Sequence, residues 1–574
     1  MVNNSSQPQT SLDIAIIGSG IHGAILALEA AQAGYRVALF EKDDFGGSTS
    51  ANSLKIIHGG IRYLQHLNIK RMRESILSRR SMMQFAPHLV QPLPCLMPTY
   101  GHGIKGREMM RLAFAIYDFI ACDRNTGLPD QSQLPAGGAL SQDQCIEELP
   151  GINRDGLNGA ALWYDAIAIN TERLLQEYLN EASRYGADIF NYKEVIGLIS
   201  DEDRITGLEV RDLLTRQTFQ VQAQTVINTS GPWVDSLTGY APKLSQATSG
   251  QWAKAINIVV KKRLFHHYAV GLEGWSEFID KDAFIKRGKR LFFFVPWRKK
   301  YTMIGTSYKP AGRSGSRIVE KEDINEMLDD INKIHPGAKL QWDDITFVHG
   351  GLLPRQPESD QENGHDTVQL EKSTRIIDHS KSDGVKGIIS ISGVKYTTAP
   401  NIAWKVLRLL ERQGNIPKQA GSYVISSRTG PPRDHTELIN SLGQKYDKIR
   451  QHLKMSYGPH WRNVLDHVET DPAPAETDQL WLSVDPPLLK AEVVYFIRRE
   501  QAVKLTDVVL RRSALGSARC PPENVLKKVA EIMSYHFNWS EDVRNDEIQQ
   551  VYDTYLPLTP REKKTDLCIL KQQI

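Results

Sequence analysis

Cysteine is scarce in this chain: five residues in 574, at positions 95, 122, 145, 520 and 568, with no Cys-x-x-Cys pair. That excludes a disulfide-stapled scaffold and a structural zinc site, and it fits thiols kept reduced in the cytosol. No metal is expected. Long hydrophobic runs are missing too, since no segment approaches the ~18 apolar residues that span a bilayer. The opening MVNNSSQPQTSL has neither a basic n-region nor an apolar h-region. The expectation is a cytoplasmic protein, soluble or held peripherally on the inner face of a membrane. Charge of one sign is lacking as well. The formal net charge is +3, without the concentrated basic surface of a nucleic-acid binder, so no nucleic-acid partner is expected. There are no internal repeats, and biased composition is confined to the first ten or so residues and PESDQENGHD. A length of 574 residues exceeds one hydrophobic core and implies two to four domains.

What is present begins with DIAIIGSGIHGAILALEAAQAGYRVALFEK. Asp13 to Ile17 reads as a buried parallel strand. Gly18, Gly20 and Gly23 then form G-x-G-x-x-G, an Ala/Leu-rich helix follows, Gly34 stands at its C-cap, and a second strand ends at Glu41. Each part has a mechanical task. Gly18 permits the tight turn, Gly20 admits a diphosphate to the backbone, and Gly23 lets helix and strand pack closely. The helix N-terminus offers free N–H groups and partial positive charge. Glu41 is placed to accept from a ribose hydroxyl and to repel a 2′-phosphate. The motif alone does not separate NAD from FAD.

The segment that follows, DDFGGSTSANSLKIIHGGIRYL, departs from a further βα unit. Its Ser, Thr, Asn and Gly residues suit an extended chain beside a ribityl–flavin system. Together with the motif, this run from Asp13 to Leu64 resembles the FAD-dependent glycerol-3-phosphate dehydrogenases, whose N-terminus carries a Ser-Ser-Lys-x-Ile-His-Gly-Gly-x-Arg-Tyr-Leu block. The resemblance implies FAD as cofactor, with Ser53, Lys55, His58, Gly59 and Gly60 lining the flavin and Arg62 and Tyr63 facing substrate. It extends over residues 12 to 555 or so. The Asn170/Thr171 cap opens a long helix stopped at Gly186. QTVINTSGPWVDSL is a strand returning to the FAD sheet and turning at Gly231. RLFFFVPWRKKYTMIGTSY is a hairpin with RKK as a solvated turn. Ile388 to Ser392 leads into Gly393-Val394-Lys395-Tyr396-Thr397-Thr398, where the family places a Gly-Gly-Lys-x-Thr-Thr block under the flavin pyrimidine, so Gly393 and Thr397 are further cofactor candidates. After the linker-like RTGPPRDH, helical periodicity dominates, as at Leu489, Val493, Phe496 and Ile497. The implied fold is an α/β Rossmann-like FAD domain, an α+β substrate domain with a mixed or antiparallel sheet, and an all-α C-terminal domain. The expected boundaries are a disordered tail at 1–12, FAD-binding parts at 13–95, 195–245 and 385–415, substrate parts at 96–194 and 246–384, and the helical domain at 430–560.

Oxidising a secondary alcohol with a flavin requires a proton acceptor, a donor for developing charge and an anchor for the substrate. The resemblance gives Lys395 and Arg62 as catalytic and substrate-binding residues, with Asn257 at the family's histidine position and Tyr63 beside them. Several positions depart. Leu353 stands where the family's phosphate-binding arginine is expected, with Arg355 displaced by two residues as a substitute. Asn257 cannot serve as a base. Tyr308 replaces an acid, Ala399-Pro400 replaces an arginine, and Lys372 stands near another. Arg173 and Arg290 keep their charge. The lead expectation is oxidation of glycerol 3-phosphate to dihydroxyacetone phosphate, with quinone or a similar acceptor. The alternatives are another hydroxy or amino substrate on the same fold, or a flavin-binding protein without turnover. RLAFAIYDFIA, residues 111–121, is an amphipathic stretch suited either to membrane contact or to core, and a homodimer is compatible with the sequence.

Overall fold

The protein is described by a computed structural model that covers residues 11–101, 107–241, 243–248, 250–279, 287–312, 317–356, 368–414, 445–467 and 480–555. Residues 1–10 of the tail, PESDQENGHD and the RTGPPRDH linker lie outside the described residues.

The dinucleotide motif folds as its residue types require. β1 (Leu12–Ile17) is buried almost throughout, α1 (Ile21–Gln32) starts at Gly20, and β2 (Val37–Phe40) runs parallel to β1 with Ile14 opposite Val37. Leu12, assigned to the tail from sequence, is instead the buried first residue of β1. On its other edge β1 pairs in parallel with Thr218–Asn228, the returning strand, which in turn pairs with Ile388–Ser392. The sheet runs Arg375–Asp378, Ile388–Ser392, Thr218–Asn228, β1, β2, Asp188–Phe190, and an antiparallel hairpin extends it. α1 is apolar nearly all round because the sheet covers one side and the helices Thr171–Arg184 and Ala399–Gln413 cover others.

A second sheet of nine strands carries the substrate side: Ile345–Pro354, Trp252–Val260, Tyr301–Gly312, Arg287–Trp297, Ala269–Ile279, Val90–Tyr100, Leu157–Ala168 and Ile56–Ile57, with Gly138–Leu140 on Leu157–Ala168. Its only parallel contact in that order is between Ala269–Ile279 and Val90–Tyr100. Two expected boundaries change accordingly. Val90–Tyr100 forms one continuous ladder with Leu157–Ala168, so a cut at residue 95 would sever a strand. Thr171–Arg184 and Asp188–Phe190 join the first sheet's layer, not the second. Leu174, Leu175, Tyr178 and Leu179 share the apolar core of α1, and Phe190 stacks on Phe40 at 5.6 Å.

The C-terminal helices form their own core, in which Val493, Phe496 and Ile497 are buried. Two buried, bidentate ion pairs dock them. Arg512 donates to both Asp44 oxygens at 2.6 and 2.7 Å, and Arg173 to both Glu500 oxygens at 2.7 and 2.6 Å. Breaking such a pair on one side strands a buried charge and costs about 3–5 kcal/mol. Arg173 is thus committed to the domain junction and does not reach the substrate side. Nor is the RKK turn wholly solvated. Arg298 folds inward, its Nε donating to Ser517 Oγ at 3.1 Å, and burial lowers its pKa to about 10.

Candidate active site

Between the two sheets lies a cavity of about 2020 Å³, well beyond the roughly 300–1,000 Å³ of an ordinary small-molecule pocket. One end is built by the dinucleotide motif. Gly18 has φ +92°, and a Cβ there would sit 2.9 Å from the backbone of Ser230. Gly20, Glu41 and Gly231 line the wall, and Gly231 has φ +59° with open space beside it. Gly23 does not line the cavity. A Cβ on it would meet Gly18 O at 2.0 Å, so its task is to let α1 lie against the turn. Glu41 Oε2 accepts from Ser19 N at 2.9 Å, and Oε1 accepts from Asp43 N at 3.0 Å. Burial raises its carboxyl pKa against the pull of these bonds. A half-buried acid just after β2, a glycine cradle and the N-terminus of α1 are the set of partners an adenine dinucleotide needs, so these residues fit FAD.

The Lys-x-x-His-Gly-Gly block divides between lining and support. Ser53, His58 and Gly60 face the cavity beside Gly393 and Thr397, and Thr397 Oγ1 accepts from His58 N at 3.1 Å. Lys55 touches the cavity, but its ammonium group is engaged. Nζ donates to Ala51 O at 2.8 Å and to Thr171 Oγ1 and Glu172 Oε1 at 2.6 Å each. Burial lowers its pKa and the Glu172 charge opposes that. Gly59 was expected at the flavin, yet it does not line the cavity. Its N–H donates to Asp165 Oδ1 at 2.6 Å, and a Cβ would lie 2.3 Å from Arg79 Nη1 and Tyr117 OH.

That contact exposes a feature the sequence reading missed. Asp165, in the otherwise apolar strand LNGAALWYDAIA, also accepts from Arg79 Nη1 at 2.9 Å and Trp163 Nε1 at 3.2 Å, and stands 3.3 Å from His58 Nδ1. Burial would raise its carboxyl, but the bond and charge of His58, the Arg79 charge and the Gly59 N–H outweigh it and hold the pKa at about 2. The imidazole is thereby oriented with its Nδ1 side on a fixed carboxylate, half of it open to the cavity. The available signal was the lone acid in a buried strand, since a charge there requires partners.

Beyond the dinucleotide motif the cavity wall, at what is expected to be its substrate end, includes Arg62, Tyr63, Asn257, Leu353, Lys372 and Lys395. Lys395 Nζ lies 4.1 Å from the Tyr63 ring centroid, and burial followed by the Arg62 charge lowers its pKa to about 8. Asn257 Oδ1 accepts from Thr306 Oγ1 at 2.7 Å, leaving its NH₂ as a donor. Arg355 does not line the cavity. Past Pro354 the chain leaves the ladder; Arg355 N donates to Gln251 O at 3.1 Å, and the residue bridges to Leu370. The side chain of Arg290 lies outside the described residues. Met97, Met110, Leu112, Phe114 and Ile116 give the cavity an apolar stretch of wall, and the C-terminal domain contributes Lys504, Asp507, Arg511 and Gln550. The amphipathic stretch at 111–121 was legible beforehand; its place in the cavity wall, and that of the C-terminal residues, was not. Among the described residues, no cluster of His, Cys, Asp and Glu could hold a metal ion.

Residues 13–409 match the family described as FAD dependent oxidoreductase, and residues 427–544 match the C-terminal domain of alpha-glycerophosphate oxidase. Over 553 residues the chain is 28% identical to a glycerol-3-phosphate dehydrogenase of Synechocystis sp., covering 95% of this chain and 96% of that one. It is likewise 28% identical over 572 residues to human mitochondrial glycerol-3-phosphate dehydrogenase, covering 95% and 73%. The structure of the glycerol-3-phosphate dehydrogenase from Bacillus halodurans, complexed with FAD, superposes with a TM-score of 0.69 at 21% identity over 97% of each chain, a likeness of fold. With the glycine cradle, Glu41 and a cavity of matching size in place, the chain belongs to the FAD-dependent oxidoreductase family.

Proposed function

We propose that the protein oxidises glycerol 3-phosphate to dihydroxyacetone phosphate and passes the electrons to a membrane quinone. The observation that carries the reading is the convergence of Arg62, Lys395 and the His58–Asp165 pair at one end of the FAD cavity. FAD held by Gly18, Gly20, Glu41 and Gly231 would supply the hydride-accepting chemistry for the secondary carbon. His58 takes the hydroxyl proton, with Asp165 fixing the ring and stabilising the imidazolium, the division of labour of a histidine–carboxylate pair. Asn257, expected at the catalytic centre, does not act as the base; its NH₂ donates to a substrate oxygen. Lys395 offsets the negative charge that develops, and Arg62 anchors the phosphate through a fork-shaped donor set. Lys372 supplies the second anchoring cation, a role the displaced Arg355 does not take.

The acceptor side follows from the helix Arg107–Ile120. Met109, Leu112, Ile116 and Phe119 form a stripe along it and are 45, 55, 45 and 82% exposed, while Phe114 and Tyr117 are buried beneath. Among the described residues the helix is half core and half exposed, and Met110, Leu112, Phe114 and Ile116 along it line the cavity. Among the described residues no helix is long and apolar enough to cross a membrane. A helix lying in the bilayer interface would bring a quinone head to that apolar wall. Leu353 in the wall is the observation favouring an unphosphorylated hydroxy or amino substrate instead. Anaerobic mixing decides between them. Glycerol 3-phosphate should bleach the bound flavin at millimolar concentration or below. Bleaching only by a hydroxy or amino acid would transfer the assignment to that class, and no bleaching by any would leave a flavin-binding protein without turnover.

A further inference from the structure

The cavity holds a second concentration of positive charge, separate from Arg62 and Lys395. Arg317 lies between the Tyr301–Gly312 strand and the Lys321–Ile334 helix, and Arg511 belongs to the C-terminal domain; both line the wall. Their side chains meet at one atom. Arg317 Nη1 and Arg511 Nη2 donate to the carbonyl oxygen of Gly47 at 3.4 and 3.3 Å. Arg511 Nη1 otherwise reaches only the neighbouring Leu510 O, at 3.3 Å. Among the described residues neither guanidinium forms an ion pair.

Two like charges sharing one neutral carbonyl, at the long end of hydrogen-bond range, repel each other. Burial lowers the pKa of Arg317; the Asp43 charge opposes this and the Arg511 charge adds to it. Glu172, an acid whose charge the Arg511 charge reaches, is already held by Lys55 at 2.6 Å. Arg511 is half-buried while Arg317 is exposed at its side, and a half-buried cation is tolerated where an anion completes it.

The position of Gly47 identifies that anion. Its neighbour Gly46 donates from N to Ser19 Oγ at 3.3 Å, and Ser50 Oγ accepts from the N–H of Ile21, the first residue of α1, at 3.0 Å. The two arginines therefore stand across the same loop from the helix N-terminus that attracts a dinucleotide diphosphate. Arg317 also lies 5.9 Å from the Trp233 ring, which faces the cavity in the turn after the returning strand.

We propose that Arg317 and Arg511 form the outer jaw of a clamp on the FAD diphosphate, opposite the N-terminus of α1. The planar forks of two arginines suit the four non-bridging oxygens of a diphosphate diester. Because one jaw residue comes from the substrate part and the other from the C-terminal domain, the cofactor ties three units together, and docking of the C-terminal domain and FAD retention reinforce each other. The inference rests on FAD as cofactor and is independent of the substrate assigned above.

The test uses apoprotein prepared from full-length holoenzyme and measures affinities for FAD, ADP and riboflavin. Arg317→Gln and Arg511→Gln should each weaken FAD and ADP by about 10- to 100-fold, leave riboflavin unchanged, and be partly rescued by Lys. Unchanged ADP affinity in both variants, or an equal loss for riboflavin, overturns the clamp. Should Arg511→Gln fail to fold, Arg317→Gln decides by itself, since Arg317 lies on an exposed connection: ADP binding within threefold of wild type refutes the proposal. Wild-type protein that binds neither FAD nor ADP would sink the cofactor assignment itself, a result distinct from failure of the clamp.

Discussion

Lys395 is where function and stability should pull in opposite directions. Its ammonium group is largely enclosed, 4.1 Å from the Tyr63 ring, and burial with the Arg62 charge brings its pKa from 10.5 to about 8. At about 1.4 kcal/mol per pKa unit, the charged form is disfavoured by roughly 3 kcal/mol. Replacing it by methionine, of similar length and without charge, removes a donor to developing negative charge. Flavin reduction by glycerol 3-phosphate, followed anaerobically by stopped flow, should slow by ~10²- to 10³-fold while FAD stays bound. In the wild type, the second-order reduction rate reports the free enzyme and should fall as pH rises through about 8. That limb should vanish in Lys395→Met. Stability should move the other way. The unfolded chain keeps the proton up to 10.5 and the folded apoprotein only to about 8. The penalty is therefore fully present below pH 8 and fades as pH climbs toward 10.5. Lys395→Met apoprotein should melt higher than wild type at pH 7, with a smaller gain at pH 10. Reduction within threefold of wild type, or a pH limb that survives the substitution, would refute the role.

Other outcomes follow from the same cavity. Glu41→Ala removes the ribose acceptor and should weaken FAD binding by about tenfold or more, measured by flavin fluorescence on titration. Gly59→Ala places a methyl 2.3 Å from Arg79 and Tyr117; it should cost about 1–3 kcal/mol in denaturant unfolding and slow reduction by displacing the Asp165 partner of His58. Leu353→Arg should lower the apparent Kd for glycerol 3-phosphate by about tenfold or more, with no gain for glycerol. Leu112→Asp with Phe119→Asp should abolish co-sedimentation with phospholipid vesicles while leaving reduction by substrate intact; vesicle binding that persists would remove this helix from the membrane contact.

What could be read in advance was what the backbone itself specifies. Gly18, Gly20, Gly23 and Gly34 are demanded by turn, close approach and cap, so their spacing announces a βαβ unit before any packing is known. The strand Ile388–Ser392 was equally plain, an apolar run ending in glycine. Residues whose work is done by side chains across distant segments were opaque. Gly59 was assigned to the cofactor because the block around it resembles a flavin-binding stretch, whereas its hydrogen atom is needed by Arg79, twenty positions on, and Tyr117. Arg355 looked like a substitute anchor because alternate strand residues share a face, but the strand ends at Pro354 and the next pairing is with Leu370. His58 and Asp165 are 107 positions apart, and nothing local in either segment names the other.

The same distinction bears on how a site could lose its arginine at 353 and still hold a phosphate. The cations facing the substrate end are of two kinds. Arg62 presents a planar fork, whereas Lys395, its pKa lowered to about 8 by burial and the Arg62 charge, carries a proton that its surroundings only partly support. A dianion entering beside Lys395 favours the protonated lysine, because an opposite charge within about 4–6 Å raises such a pKa. Substrate binding and protonation of Lys395 are therefore linked: below pH 8 the lysine is already charged and binding gains its attraction directly, and above it binding must take up a proton. An arginine at 353 would have supplied anchoring that is indifferent to pH. With leucine there, anchoring rests on Arg62 and Lys372, and the nearby Lys395 adds an attraction that depends on its protonation, so affinity and rate should decline together as pH rises.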